Sequence, residues 1–174
     1  MLPVRDRRLC IPRLPWDDFF MLQAHLAATR STCDRGPELL FNPKRHGVGA
    51  VLVKEHRIIG GGYNGSPPNK PHCNDVGHEI RDGHCVRTIH AERNALHQCA
   101  IDGNSPIGAS LYVTASPCYD CAKDLVRVGV KHVFFGQPYE SRYGLSSDVQ
   151  EFLFDAGIQT VRLVLSLDIW LEDR

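Results

Sequence analysis

The stretch LYVTASPCYDC, residues 111–121, changes character halfway along. Its first half belongs to a run at 109–115 (ASLYVTA) whose β-branched and aromatic residues suit a strand. From Cys118 to Val128 the pattern reads as a helix. Ser-Pro-Cys joins the two, and Cys118 and Cys121 fall in the first helical turn. Residues three apart on a helix point the same way. The positive end of the helix favours thiolate, the form that binds metal.

Downstream, 131–136 (KHVFFG) reads as a strand, 146–157 as a helix with a serine cap and a glycine stop, and 159–165 as a last strand. Upstream, 90–101 is a helix of good helix formers, and 48–53 and 57–63 are strands of one hairpin joined by polar KEH. Residues 16–31 form a helix whose Asp17 and Asp18 suit its positive end. This order implies an α/β fold, a largely parallel sheet with helices on both faces. Segments 33–47 and 64–85 read as loops; the second is long for a small domain unless it is functional or stapled. Residues 1–15, with three prolines and many charges, read as an irregular arm, and 16–174 as a single domain.

Of 174 residues, 43% are hydrophobic, enough for one core of ordinary size. Lys+Arg and Asp+Glu both number 20, so the basic excess of a dedicated nucleic-acid binder is missing. No signal peptide or bilayer-length apolar run is legible. A soluble, cytoplasmic chain with neither nucleic-acid nor membrane partner is expected. In such a reducing setting the seven cysteines are metal ligands or buried thiols rather than a disulfide framework.

Taken alone, Cys-x-x-Cys also fits a redox pair or half of a structural zinc site. TIHAERNAL at 88–96 narrows the choice. A catalytic zinc takes three protein ligands and leaves a position for water, whose pKa it lowers to about 7. His90, opening its helix, is the natural third ligand beside Cys118 and Cys121. Glu92 projects differently and is free to carry protons. Acidified water plus a carboxylate shuttle suits hydrolytic removal of an amino group from an amidine-like ring carbon. H-x-E…P-C-x-x-C is the pattern already known for zinc nucleobase deaminases.

The chain resembles the deoxycytidylate (dCMP) deaminases of the cytidine-deaminase-like superfamily. RSTC, VGAVLV, GGYNGSP, GHCVRTIHAERNAL, LYVTASPCYDC and FDAGI carry the resemblance, from Trp16 to about Gly157. GPELLFNPKRH at 36–46 departs from it. The resemblance implies a three-layer α-β-α sandwich around a five-stranded mixed sheet. It implies zinc on His90, Cys118 and Cys121, with Glu92 as proton shuttle. It further implies Asn64 on the nucleotide sugar and the Ala50 N–H on the pyrimidine carbonyl, with Arg30, Ser31 and Tyr139 as candidates for the phosphate. It implies a nucleotide substrate and a homo-oligomer, commonly a hexamer, activated by dCTP with magnesium and inhibited by dTTP. Gly62, Tyr63, Asn64, Gly65 and Ser66 would form the effector site. Alternative substrates are dCTP, a free nucleoside, 5-substituted dCMP or RNA adenosine, and a non-catalytic nucleotide-binding relative is the other alternative; retention of Glu92 speaks against the last.

HCNDVGHEIRDGHC at 72–85 crowds histidines and cysteines into the long loop, and Cys33 lies close after the first helix. Four such ligands on a second, structural zinc would offset the loop's conformational entropy. The pattern of relatives maps this site onto Cys33, Cys73, His78 and His84, with His72 and Cys85 in reserve.

Overall fold

Residues 13–140 and 146–165 are described in the computed structural model of the chain. Helix α1 (Trp16–Ala28) leads into a small hairpin of β1 (Glu38–Leu39) and β2 (Asn42–His46), then a larger one of β3 (Gly49–Lys54) and β4 (Arg57–Tyr63). The one-turn α2 (Cys73–Val76) and the short strands β5 (Ile80–Arg81) and β6 (His84–Cys85) precede α3 (Ala91–Asp102). Then come β7 (Ser110–Ala115), α4 (Tyr119–Val128), β8 (His132–Gln137), α5 (Ser146–Asp155) and β9 (Gln159–Arg162).

The main sheet has the order β4-β3-β7-β8-β9. Strands β7, β8 and β9 are parallel, whereas β3 lies antiparallel to both β4 and β7. The sheet is therefore mixed and five-stranded, as the resemblance implies. The largely parallel sheet expected from the alternation of elements is confined to β7-β8-β9. A tight turn can only return the chain antiparallel, so β3 and β4 oppose each other, and β3 alone runs against the other four strands.

Side-chain alternation builds the three layers. Ala50, Leu52, Leu111, Val113, Val133 and Phe135 face a core shared with Ala95 of α3, Leu125 of α4 and Leu153 of α5. Val51, Val53 and Tyr112 point to the opposite face, where α1 supplies Phe20, Met21 and Ala24. Tyr112 also donates from its hydroxyl to Asp17 Oδ1 at 2.7 Å. Two glycines of β4 let α3 lie directly on the strand. A Cβ on Gly62 would come within 2.4 Å of the Ala91 carbonyl oxygen, and one on Gly60 within 2.5 Å of the Ala95 carbonyl oxygen.

The expected loops carry short structure. Within 33–47 the β1–β2 hairpin forms, and 64–85 holds α2 and the β5–β6 hairpin. Asp82 and Gly83 turn that second hairpin at φ of 48° and 78°, the paired positive values of a tight two-residue turn. The expected N-terminal arm lies outside the described residues up to position 12.

Candidate active site and metal centres

The C-terminal ends of the parallel strands form one rim of the site, where ligands gather in sheets of this kind. β7 ends at Ala115, and three residues later Cys118 caps α4 in extended conformation. His90 caps α3 in the same way, with ψ of 153°. Gly65 and Ile89 exchange backbone hydrogen bonds, at 3.2 Å from the Gly65 N–H and 2.9 Å from the Ile89 N–H, so the segment leaving β4 holds His90 in place. Two helix N-termini thus converge from different strands.

His90 Nδ1 lies 3.5 Å from Cys118 Sγ and 3.4 Å from Cys121 Sγ. Ligands at zinc's usual distances from sulfur and nitrogen, set tetrahedrally, are about 3.6 Å apart. The three donors therefore fit zinc. Before any cation enters, one thiol of the pair already favours thiolate, while the hydrogen bond with Cys118 and burial push the Cys121 thiol well up. Hydrogen bonds from Cys121 and then His90, against the effect of burial, hold Cys118 down at about 4. The partnership with Cys118 lifts His90 to about 9. Glu92, 4% exposed, sits in the first turn of α3, and burial raises its carboxyl to about 7. A group poised there exchanges protons in both directions near neutral pH.

A cavity of about 420 Å³ opens over these residues. His90, Ala91, Glu92 and Cys118 line it together with Val48, Asn64, Gln137 and Tyr139, and the segments Cys33–Pro37 and His84–Cys85 complete the lining. Tyr139 is anchored by its N–H, which donates to Ser116 Oγ at 2.7 Å. Burial pushes its phenol up, and the nearby Arg35 charge opposes this.

Other expected site residues lie elsewhere. Arg30 is exposed and absent from the cavity wall, where Arg35 stands instead. Ser31 is buried, donating from its hydroxyl to the Cys33 carbonyl at 2.6 Å and meeting Asn64 Oδ1 at 2.5 Å. Ala50 is inside the sheet between Gly62 and Val113, off the wall. Ala91, which the sequence reading passed over, lines the cavity, and a helix's first N–H groups have no partner within the helix. Asn64 does line it, but its side chain is also engaged within the protein. Its Nδ2 donates to the Cys33 carbonyl at 2.9 Å, and its Oδ1 accepts the Val48 N–H at 2.7 Å.

A second donor cluster joins Cys33, Cys73, His78 and Cys85, with all donor atoms within 4.8 Å of one another. Cys33 Sγ is 3.6 Å from His78 Nδ1, and the Cys73 and Cys85 sulfurs are 3.5 Å apart, spacings that also fit a tetrahedral zinc. His78 Nε2 contacts Asp34 Oδ1 at 2.8 Å, the kind of carboxylate partner that orients a ligating histidine. Burial raises Cys73 to about 12. Cys85 is also penalised by burial, yet hydrogen bonds from the Arg87 backbone, His78 and Cys73 bring it down to about 6. Cys85 takes the position expected for His84. Neighbours in a strand point to opposite sides, so only one of the pair on β6 joins the cluster, and that one is Cys85.

The family described as "Cytidine and deoxycytidylate deaminase zinc-binding region" matches residues 14–137. The chain belongs to this family. It is 40% identical over 153 residues to ComE operon protein 2 of Bacillus subtilis (strain 168), covering 88% of this chain and 74% of that protein. It is 36% identical over 141 residues to the deoxycytidylate deaminase of Mycobacterium phage D29, covering 74% of this chain and 98% of the phage enzyme. The crystal structure of dCMP deaminase from cyanophage S-TIM5 in complex with dCMP and dUMP superimposes with a TM-score of 0.68 at 30% identity, covering 87% of this chain and all of that one.

Proposed function

We propose that the chain converts dCMP and water to dUMP and ammonia. The carrying observation is a buried carboxyl, Glu92, beside a three-donor cluster at a cavity of nucleotide size. The deoxycytidylate deaminase name of the phage relative and the dCMP and dUMP of the superimposed structure support the substrate. His90, Cys118 and Cys121 would hold a zinc ion, which would supply Lewis acidity to the attacking water. Glu92 accepts one proton of the attacking water and passes it to the ring nitrogen; it then takes the remaining proton of the added hydroxyl and delivers it to the amino group, which leaves as ammonia as the C–N bond breaks and the carbonyl forms. The Ala91 N–H, at the start of α3, is available to the pyrimidine carbonyl. Tyr139 and Arg35 stand on the wall where the sugar and phosphate extend, and Asn64 braces that wall through Cys33 and Val48. Ammonia release measured across dCMP, dCTP, CMP, deoxycytidine and adenosine-containing RNA tests this reading. The highest kcat/KM belongs to dCMP; a higher value for any other compound replaces it as substrate.

A second zinc on Cys33, Cys73, His78 and Cys85 ties the long loop to the domain. Its spacings support it, and about two zinc per chain is the expected content. The deaminase feeds thymidylate synthesis in the cytoplasm and works as a homo-oligomer, activated by dCTP with magnesium and inhibited by dTTP. For the effector segment 62–66, support comes from the buried hydroxyl of Ser66, which has no protein partner among the described residues. Gly62 is accounted for by its packing on α3 alone. Sigmoidal dCMP kinetics relieved by dCTP test the regulation; hyperbolic kinetics indifferent to both triphosphates remove it.

A further inference from the structure

We infer that the Cys33, Cys73, His78, Cys85 centre is a specificity device: the cation it holds fixes Arg35 at the cavity against the β5–β6 turn and so sets the preference for phosphorylated over unphosphorylated nucleosides. This rests on the dCMP and second-zinc readings above. Among the described residues that line the cavity, Arg35 alone carries a permanent positive charge. Its Nη2 donates to the Gly83 carbonyl at 2.7 Å, in the turn that leads into His84 and Cys85 of the cavity lining. One donor of the planar guanidinium is thereby used for position, and the others remain for phosphate oxygens.

Both ends of this clasp run directly into cluster residues. Cys33 is two residues before Arg35, and Cys85 is two residues after Gly83. Between Cys33 and Arg35, Asp34 contacts the far nitrogen of His78. Neither segment belongs to the five-stranded sheet; Ser31 and Asn64 brace the Arg35 segment at the Cys33 carbonyl, and the four donors tie it to the β5–β6 segment. Cys33 and Cys85 line the cavity, whereas Cys73 and His78 do not. Removing either of the latter therefore loosens the clasp without touching the nucleotide.

The test uses full-length protein carrying Glu92→Gln to stop turnover, with zinc per chain and the Kd of dCMP and of deoxycytidine measured calorimetrically. Arg35→Ala weakens dCMP by roughly 10- to 100-fold, the worth of a charge-assisted contact, and leaves deoxycytidine within a few fold. His78→Gln, at an exposed position, loses about one zinc and reproduces the dCMP-selective loss, and adding Arg35→Ala to it costs little more. Cys73→Ser must behave likewise, which guards against one variant failing to fold. If zinc falls by one and the parent's preference for dCMP persists, the cation is only structural and the inference is overturned. Equal weakening of both ligands also overturns it, because the effect is then on the whole cavity. If zinc content is unchanged in both ligand variants, the second-zinc reading has failed and this inference with it. A parent that binds neither compound refutes the deaminase reading itself and removes this inference's basis.

Discussion

Glu92→Gln separates proton transfer from everything else this residue does. The side chain is 4% exposed and packed in the first turn of α3, so a change of volume would leave a hole or a clash. Glutamine keeps the volume and removes only the basic oxygen. One general acid–base transfer contributes roughly 10²–10⁴-fold to rate. Glu92 serves the attacking water, the ring nitrogen and the leaving ammonia in turn, so the expected loss in kcat lies at the upper end, at least about 10³-fold. Fold stability should not fall, since burial already disfavours the charged carboxyl, as its rise to about 7 records, and a neutral amide escapes that cost. The assay is ammonia release from dCMP with zinc content and thermal midpoint measured on the same preparation. Turnover within a few fold of the parent, with zinc retained, would refute the assigned role.

Cys118→Ser should lose about one zinc per chain and all activity, while zinc at the other cluster stays bound; unchanged metal content counts against the catalytic ligand set. Gly62→Ala puts a Cβ within 2.4 Å of the Ala91 carbonyl oxygen, whereas Gly61→Ala meets nothing nearer than 4.0 Å. The first should lower Tm by roughly 2–12 °C, corresponding to about 1–3 kcal/mol of overpacking, and the second should change little; equal Tm values would contradict the close seating of α3. Burial lowers the His25 pKa below its ordinary 6.5. The unfolded chain then binds the proton more readily, so this contribution is present above about pH 6.5 and is lost as pH falls through the folded value. His25→Gln should flatten the stability profile between about pH 7 and 5 relative to the parent, to be read from denaturant midpoints.

The catalytic constellation was legible because its parts are local. His90 and Glu92 share one helix start, Cys118 and Cys121 another, and helical spacing decides which side chains face together. The second cluster was legible in composition but not in membership. Choosing between His84 and Cys85 requires the side-to-side parity of a two-residue strand, which no periodicity reveals in so short a run. Arg30 and Arg35 differ by the path of the chain after α1, set by Ser31 and Asn64 hydrogen bonds to the Cys33 carbonyl. That Ala50 lies off the cavity wall follows from β3 being flanked by strands on both edges, which the sequence alone does not show. The glycines of β4 looked like ligand contacts, and part of their cause is a helix that comes too close for any side chain.

The central claim is that this cavity exchanges the amino group of dCMP for the oxygen of water. The most direct measurement follows dCMP, dUMP and ammonia together over one time course with the zinc-loaded protein. The account predicts that dUMP and ammonia appear in equal amounts as dCMP disappears, and that Glu92→Gln abolishes both. dCMP left intact by protein with a full catalytic zinc site, or consumed without matching ammonia, would contradict it.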